Sequence, residues 1–155
     1  IIDKQGPLRN PADRDHCLQY MLAVPLLFGR LGAADYEDCV AADPRIDVLR
    51  EKMVCVEERQ FTLDYHDPEK RSIANALSVE LNDGTRLDEV LVEYPIGHRR
   101  RRCEGLPLLE AKFRRNLARR FPAQQQQAIL DISLDHSLLL STPVHEYVNL
   151  YVTRS

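Results

Sequence analysis

Two runs of alternating residues joined by a tight turn constrain this chain more than any other feature. Leu77, Val79 and Leu81 alternate with polar neighbours, Asn82-Asp83-Gly84-Thr85 follows, and Val90, Val92 and Tyr94 alternate again. Apolar side chains at every second position read as a half-buried strand. An Asp-Gly pair between two such runs is hairpin chemistry, because the favoured tight turns need residues that accept positive φ. The spacing therefore predicts an antiparallel hairpin over residues 77–94. A third alternation, Phe61, Leu63 and Tyr65, predicts another strand just upstream, closed by a Tyr65-His66-Asp67-Pro68 turn.

The segments on either side follow a helical period. Asn10-Pro11-Ala12-Asp13 is a helix start: Asn10 can cap, Pro11 suits the first helical position, and Asp13 meets the positive end of the helix dipole. Leu18, Met21, Leu22, Val24, Leu26, Leu27 and Phe28 make the following residues apolar nearly all round, which predicts one buried helix over 10–28. Gly29 should end it, and Pro25 should kink it near Met21. Short helices are expected over 33–41 and from the Asp43-Pro44 pair, the latter with Ile46, Leu49 and Met53 on one side. Beyond Gly97, Leu109, Phe113 and Leu117 recur every four residues with Lys112, Arg114, Arg115 and Arg119 turned away. Pro122 opens a further helix through Gln124 to Gln127, Thr142-Pro143 caps a last one with Val144, Tyr147 and Tyr151 on one stripe, and His136 and His145 fall within helices. Helices, then an antiparallel sheet, then helices predict an α+β fold.

At 155 residues the chain is long enough for one domain with a real core. Hydrophobic residues at 44% and charged residues at 29% are the balance of a globular protein, not of a disordered tail or a collagen-like repeat. The longest apolar run, residues 21–28, is too short to cross a bilayer, so no membrane partner is expected. No charged-then-apolar leader opens the sequence, and a chain that begins at Ile1 is expected to be a piece of a longer protein. Cys17, Cys39, Cys55 and Cys103 are dispersed without a C-x-x-C pair, which supports neither a structural zinc site nor an iron–sulfur cluster. They read as reduced core residues of a cytoplasmic protein, and no metal ligands are assigned.

Two constellations carry chemistry. His16 and Tyr20 are four residues apart with Asp13 one turn earlier, so a continuous helix would put an imidazole and a phenol on one face as a proton-transfer pair. The alternative is a polar helix start that simply meets water. His98 is followed by Arg99, Arg100, Arg101 and Arg102, and residues 98–120 hold nine Lys or Arg against two Glu in a chain of net charge −3. Such a loop can grip phosphates or carboxylates, or be a solvated basic face paired with acidic neighbours. No aromatic residue interleaves the arginines, so nucleic acid is not the expected partner. Neither H-E-x-x-H, nor G-x-G-x-x-G, nor a Walker loop occurs.

Several long segments in order are similar to one enzyme family. They are Asn10-Pro11-Ala12-Asp13-Arg14-Asp15-His16-Cys17-Leu18-Gln19-Tyr20-Met21, continuing through Ala23-Val24-Pro25-Leu26-Leu27-Phe28-Gly29 to Ala34-Asp35-Tyr36-Glu37-Asp38; then Asp64-Tyr65-His66-Asp67-Pro68-Glu69-Lys70-Arg71 with Ile73-Ala74-Asn75-Ala76; then Glu93-Tyr94-Pro95-Ile96-Gly97-His98; and the ending His145-Glu146-Tyr147-Val148-Asn149-Leu150-Tyr151. They resemble the MmgE/PrpD family in its methylcitrate-dehydrating branch. The resemblance implies a large helical domain, a smaller α+β lid domain and an active site between them. Residues 1–97 would belong to the lid, and residues 98–155 would be a basic loop and C-terminal helices that pack on a helical domain upstream. The implied reaction removes water from 2-methylcitrate to give 2-methyl-cis-aconitate, in propionate breakdown through the methylcitrate cycle, with no cofactor. The implied partners are the small tricarboxylate substrate, the N-terminal helical domain of the same protein and a second copy in a homodimer.

By the same resemblance Tyr20 matches a tyrosine that lines the family's site, as hydrogen-bond donor or acid, and His16 aligns one turn earlier. His98 and Arg99 are assigned to the substrate carboxylates on charge and position only. The other acid/base residues would lie upstream, so the chain alone should be inactive. Sister reactions of the family, cis-aconitate decarboxylation or iminodisuccinate epimerisation, and a non-catalytic anion-binding module stay open. The arginine-rich loop after Gly97 favours the methylcitrate branch.

Overall fold

The computed structural model describes residues 2–153, and the chain divides into two compact units, Ile1–Glu58 and Arg59–Ser155. The first is helical: α1 (Pro11–Arg14), α2 (Leu18–Phe28), a 3₁₀ turn (Ala33–Tyr36), α3 (Asp38–Ala41) and α4 (Pro44–Arg50). Asn10 caps α1 as expected, its Oδ1 accepting the Asp13 N–H at 2.9 Å. The single helix expected over 10–28 is two. The Arg14 carbonyl accepts from Cys17 N–H at 3.2 Å, and the Leu18 N–H goes to the Ile2 carbonyl at 2.8 Å. With that donor taken by a residue outside the helix, the i→i−4 ladder cannot run across residues 14–18.

From Leu18 the expected helix forms but is buried along one face only, with Leu26 exposed, and Gly29 ends it with φ +67°, donating its N–H to the Pro25 carbonyl at 2.9 Å. Cys17, Tyr20, Ala23 and Val24 form the core with Ile46 of α4, and Leu49 and Met53 pack against it as their spacing predicts. Val24 and Ile46, fully buried, contribute about 1.5–3 kcal/mol each. The helix expected over 33–41 is divided at Glu37, whose extended backbone separates the 3₁₀ turn from α3. α4 starts where Asp43 accepts the Arg45 N–H at 3.0 Å.

The second unit holds α5 (Arg59–His66), β1 (Asn75–Leu77), β2 (Val90–Val92), a 3₁₀ turn (Arg99–Arg101), α6 (Arg102–Ala118), α7 (Ala123–Leu134), α8 (His136–Ser141) and α9 (Val144–Asn149). The strand expected at Phe61, Leu63 and Tyr65 is α5. Phe61 and Tyr65 are also four residues apart, and Gln60 Nε2 donates to Asp64 Oδ1 at 2.7 Å across one helical turn. Three alternating positions are too few to separate the two periods.

The hairpin is present and antiparallel, pairing Asn75 with Val92, Ala76 with Leu91 and Leu77 with Val90. It continues less regularly to its turn through Leu87 N–H to the Val79 carbonyl at 2.9 Å and Leu81 N–H to the Thr85 carbonyl at 2.8 Å. Leu117 of α6 packs with Ile129 and Leu130 of α7, and Phe113, Phe121, Leu150 and Tyr151 close around them. Leu109 stays half exposed, so only the second half of the predicted α6 stripe is core. Thr142 does not cap α9: its Oγ1 donates back to the Leu138 carbonyl at 2.7 Å, and Pro143 holds the cap position.

The architecture is α+β, as expected. The core assignment holds for Cys17 and partly for Cys55. Cys39 and Cys103 are exposed, because α3 and the first turn of α6 present them outward. Among the described residues no helix is long and apolar enough to cross a membrane.

Candidate functional site

Tyr20 projects from the first full turn of α2 into the core and is 2% exposed. Its O–H donates to the Asp35 carbonyl at 2.6 Å, and its ring stacks on Tyr36 with centroids 5.9 Å apart at 26°. Burial pushes the Tyr20 phenol above its ordinary pKa, and the Tyr36 phenol likewise. Beside them lie two buried charges that sequence reasoning did not single out, Arg14 and Asp35. Asp35 accepts the Gly32 N–H at 2.8 Å and Arg30 Nε at 3.1 Å. Arg14 donates to the Tyr36 carbonyl at 2.7 Å and pairs with Asp38 at 2.7 Å. Both sit in the segments quoted above for the family resemblance, but neither residue type is marked by spacing.

His16 is not one turn before Tyr20 on a shared helix face. It lies in the break between α1 and α2, exposed, with Nδ1 2.5 Å from the Asp15 carboxylate. Asp13 is also engaged elsewhere. It caps back on Arg9 N–H at 3.1 Å and accepts from Lys4 at 2.8 Å, and the Lys4 bond is the main cause that holds its carboxyl below the ordinary range.

In the second unit the segments 67–71 and 93–101 meet around Tyr94. His98 caps the 3₁₀ turn, its Nδ1 accepting the Arg100 N–H at 3.2 Å while Nε2–H donates to the Arg71 carbonyl at 3.1 Å. That pairing corresponds to the Nε2–H tautomer. The imidazole tilts against the Tyr94 ring at 4.7 Å, and the Arg100 guanidinium lies 4.7 Å from the same ring. Arg100 also donates to the Glu69 carbonyl. Arg101 donates to the Tyr94 carbonyl at 3.0 Å and grips Glu104 with two nitrogens, at 3.2 and 2.7 Å.

Gly105 lets α6 start here: a Cβ at that position would stand 2.3 Å from the Ile96 carbonyl oxygen. The four arginines therefore divide. Arg100 and Arg101 hold the loop together, whereas the Arg99 side chain is exposed and makes no hydrogen bond or ion pair among the described residues. Both His98 nitrogens are engaged, so a ligand reaching His98 must displace one of these bonds. Tyr20 and His16 belong to the first unit, His98 and Arg99 to the second.

The MmgE/PrpD C-terminal domain family matches residues 1–137. The chain belongs to the MmgE/PrpD family. It is 72% identical to the 2-methylcitrate dehydratase of Cupriavidus necator over 151 residues, which is 97% of this chain and 31% of that protein. Against the 2-methylcitrate dehydratase of Salmonella typhimurium the identity is 68% over 152 residues, 98% of this chain and 32% of the relative. The mitochondrial 2-methylcitrate dehydratase of Yarrowia lipolytica is 56% identical over 154 residues, 99% of this chain and 29% of the relative. The chain thus spans about a third of the length of the curated relatives it matches.

Within this MmgE/PrpD domain the two neighbourhoods offer complementary chemistry. The buried Tyr20 phenol keeps its proton at neutral pH, and a bound oxygen can share it only by displacing the bond to the Asp35 carbonyl. An exposed guanidinium without an internal partner can meet a carboxylate with two parallel hydrogen bonds. Among the described residues no group of three or more His, Cys, Asp or Glu side chains could hold a metal ion.

Proposed function

We propose that this chain is the C-terminal part of a 2-methylcitrate dehydratase. The whole enzyme would remove water from 2-methylcitrate to give 2-methyl-cis-aconitate in propionate breakdown through the methylcitrate cycle. The observation that carries this reading is the 72% and 68% identity, over nearly all of this chain, to proteins of that name. In this proposal residues 1–97 are part of a lid domain, and residues 98–155 pack on a helical domain upstream. The whole protein is cytoplasmic, dimeric and independent of an iron–sulfur cluster, and this chain alone has no turnover.

The reaction takes a proton from a carbon beside a carboxylate while a tertiary hydroxyl leaves as water. It needs a base, an acid for the departing oxygen, and cations on the carboxylates. In this reading Tyr20 supplies the hydroxyl that bonds the departing oxygen, which takes the phenol O–H over from the Asp35 carbonyl. Arg99 takes a carboxylate, supported by its side chain having no partner among the described residues, with His98 beside it. His16 is the accessory acid/base candidate, supported by its exposed imidazole.

The test uses the full-length protein treated with a metal chelator. 2-Methylcitrate is offered and the ultraviolet absorbance of the unsaturated product is followed, for wild type and Tyr20→Phe. Turnover that survives the chelator and falls about 100-fold in the variant supports the reading, that being the scale of one acid/base group. Turnover with an unaffected variant removes Tyr20 from the site. Product only from cis-aconitate or iminodisuccinate replaces the dehydration with a sister reaction.

A further inference from the structure

Asp35 and Arg14 are 3% and 4% exposed, and neither has a part in the dehydration chemistry proposed above. A charge inside an apolar unit is costly unless paired and hydrogen-bonded. Both are tied to the short turn that holds Tyr20. Asp35 Oδ2 accepts the Gly32 N–H at 2.8 Å, and Oδ1 lies 3.1 Å from both Nε and Nη2 of Arg30, which draws the 3₁₀ turn closed on its own carboxylate. The backbone carbonyl of the same residue takes the Tyr20 O–H at 2.6 Å. Arg14 Nη1 donates to the carbonyl of the next residue, Tyr36, at 2.7 Å, and the Tyr36 ring stacks on Tyr20. The phenol is anchored at its oxygen and across its face, and each anchor is braced by one buried charge.

We infer that Asp35, with Arg14 behind it, is the positioning residue for Tyr20, fixing the direction of the phenol O–H through the backbone of the Ala33–Tyr36 turn. A free phenol hydroxyl turns about its C–O bond. An acceptor held rigidly selects one direction for the proton and holds the phenol oxygen in place until a bound oxygen takes that proton over. The kinetic consequence rests on the reading of Tyr20 given above, whereas the geometric one does not. Misplacing a reacting group by about 1 Å costs on the order of 100-fold in rate.

The experiment uses the full-length protein carrying Asp35→Asn or Arg30→Gln, each alone and in the Tyr20→Phe background. Asn keeps the shape and an acceptor for the Gly32 N–H but loses the charge that draws Arg30. The expected result is a kcat for 2-methylcitrate lower by about tenfold or more in Asp35→Asn, less in Arg30→Gln, with KM within about twofold. Neither substitution should lower kcat further once Tyr20 is Phe, and Arg30→Lys should restore most of the loss. An equal fall in both backgrounds is a general structural effect and overturns the inference.

A second readout needs no turnover. In protein labelled with ¹³C at the tyrosine ζ carbon, the Tyr20 signal is identified by its loss in Tyr20→Phe. It should move in both Asp35→Asn and Arg30→Gln, and titrate at lower pH in Asp35→Asn, which removes a neighbouring negative charge. A signal that stays in place in folded variants overturns the positioning role. A signal that moves in an enzyme that never dehydrates 2-methylcitrate keeps the role and removes the dehydratase reading. If Asp35→Asn does not fold, Arg30→Gln carries both measurements, since the Arg30 side chain is 66% exposed.

Discussion

Gly105→Ala isolates how α6 is seated on the loop that carries His98 and Arg99. The new Cβ would stand 2.3 Å from the Ile96 carbonyl oxygen, where ordinary contact begins near 3.4 Å, so helix and loop must part by about 1 Å. The obstacle is backbone and cannot swing aside as a long side chain would. Overpacking of this kind costs about 1–3 kcal/mol. Parting also stretches the Arg101 bond to the Tyr94 carbonyl, now 3.0 Å, worth about 1 kcal/mol. Against this, alanine gains about 1 kcal/mol over glycine inside a helix. The net expectation is a loss of about 1–3 kcal/mol, read as a lower urea midpoint by circular dichroism. Gly97→Ala is the matched comparison, because a Cβ there meets nothing within 4 Å, and it should be neutral. A Gly105→Ala protein as stable as wild type would refute the reasoning, since helix propensity would then outweigh the close approach.

Three further outcomes are expected. Arg71 holds φ +48°, a region that costs an L side chain about 1–2 kcal/mol, so Arg71→Gly should raise the melting temperature slightly even after the added freedom of the unfolded chain; a lower value would show that the Arg71 side chain itself stabilises the loop. Tyr151 is pushed up to about 12 from an ordinary 10.0, first by desolvation and then by its hydrogen bond with Tyr147. The folded state keeps that proton where the unfolded chain releases it, so this contribution is complete below about pH 10 and is lost as pH rises toward 12. Urea midpoints taken through that window should fall less steeply in Tyr151→Phe, and an unchanged slope would refute the linkage. In the full-length protein Arg99→Gln should raise KM about tenfold with little change in kcat, whereas Arg101→Gln should lower stability, because only the second guanidinium holds the loop.

Elements that carry their own punctuation were legible from the residues. Asn10-Pro11 and Asp43-Pro44 start helices, Gly29 stops one, and the turn around Asp83-Gly84 closes the hairpin. Each is decided by one or two φ values or one cap hydrogen bond, so neighbours in the chain suffice. Phe61, Leu63 and Tyr65 misled because five residues satisfy both periods, and the Gln60–Asp64 pair was the local signal for helix. Of the candidate site, Tyr20 and the arginine loop were visible as residue types. Their division of labour was not, since nothing in Arg99-Arg100-Arg101 says which side chain turns inward to the carbonyls of Glu69 and Tyr94.

The sequence by itself determined the α+β class, the apolar character of α2, the hairpin and the family. Repeating apolar positions and turn residues act over one or two turns of chain, and long runs of matching residues are specific. Tertiary structure alone decided that α1 and α2 separate, because the acceptor for Leu18 is the Ile2 carbonyl, sixteen residues away. It alone brought Asp35 and Tyr36 onto Tyr20, and the Arg71 carbonyl onto His98. A hydrogen bond or a packed ring depends on distance in space, and residues this far apart in the chain acquire that distance only when the whole unit folds.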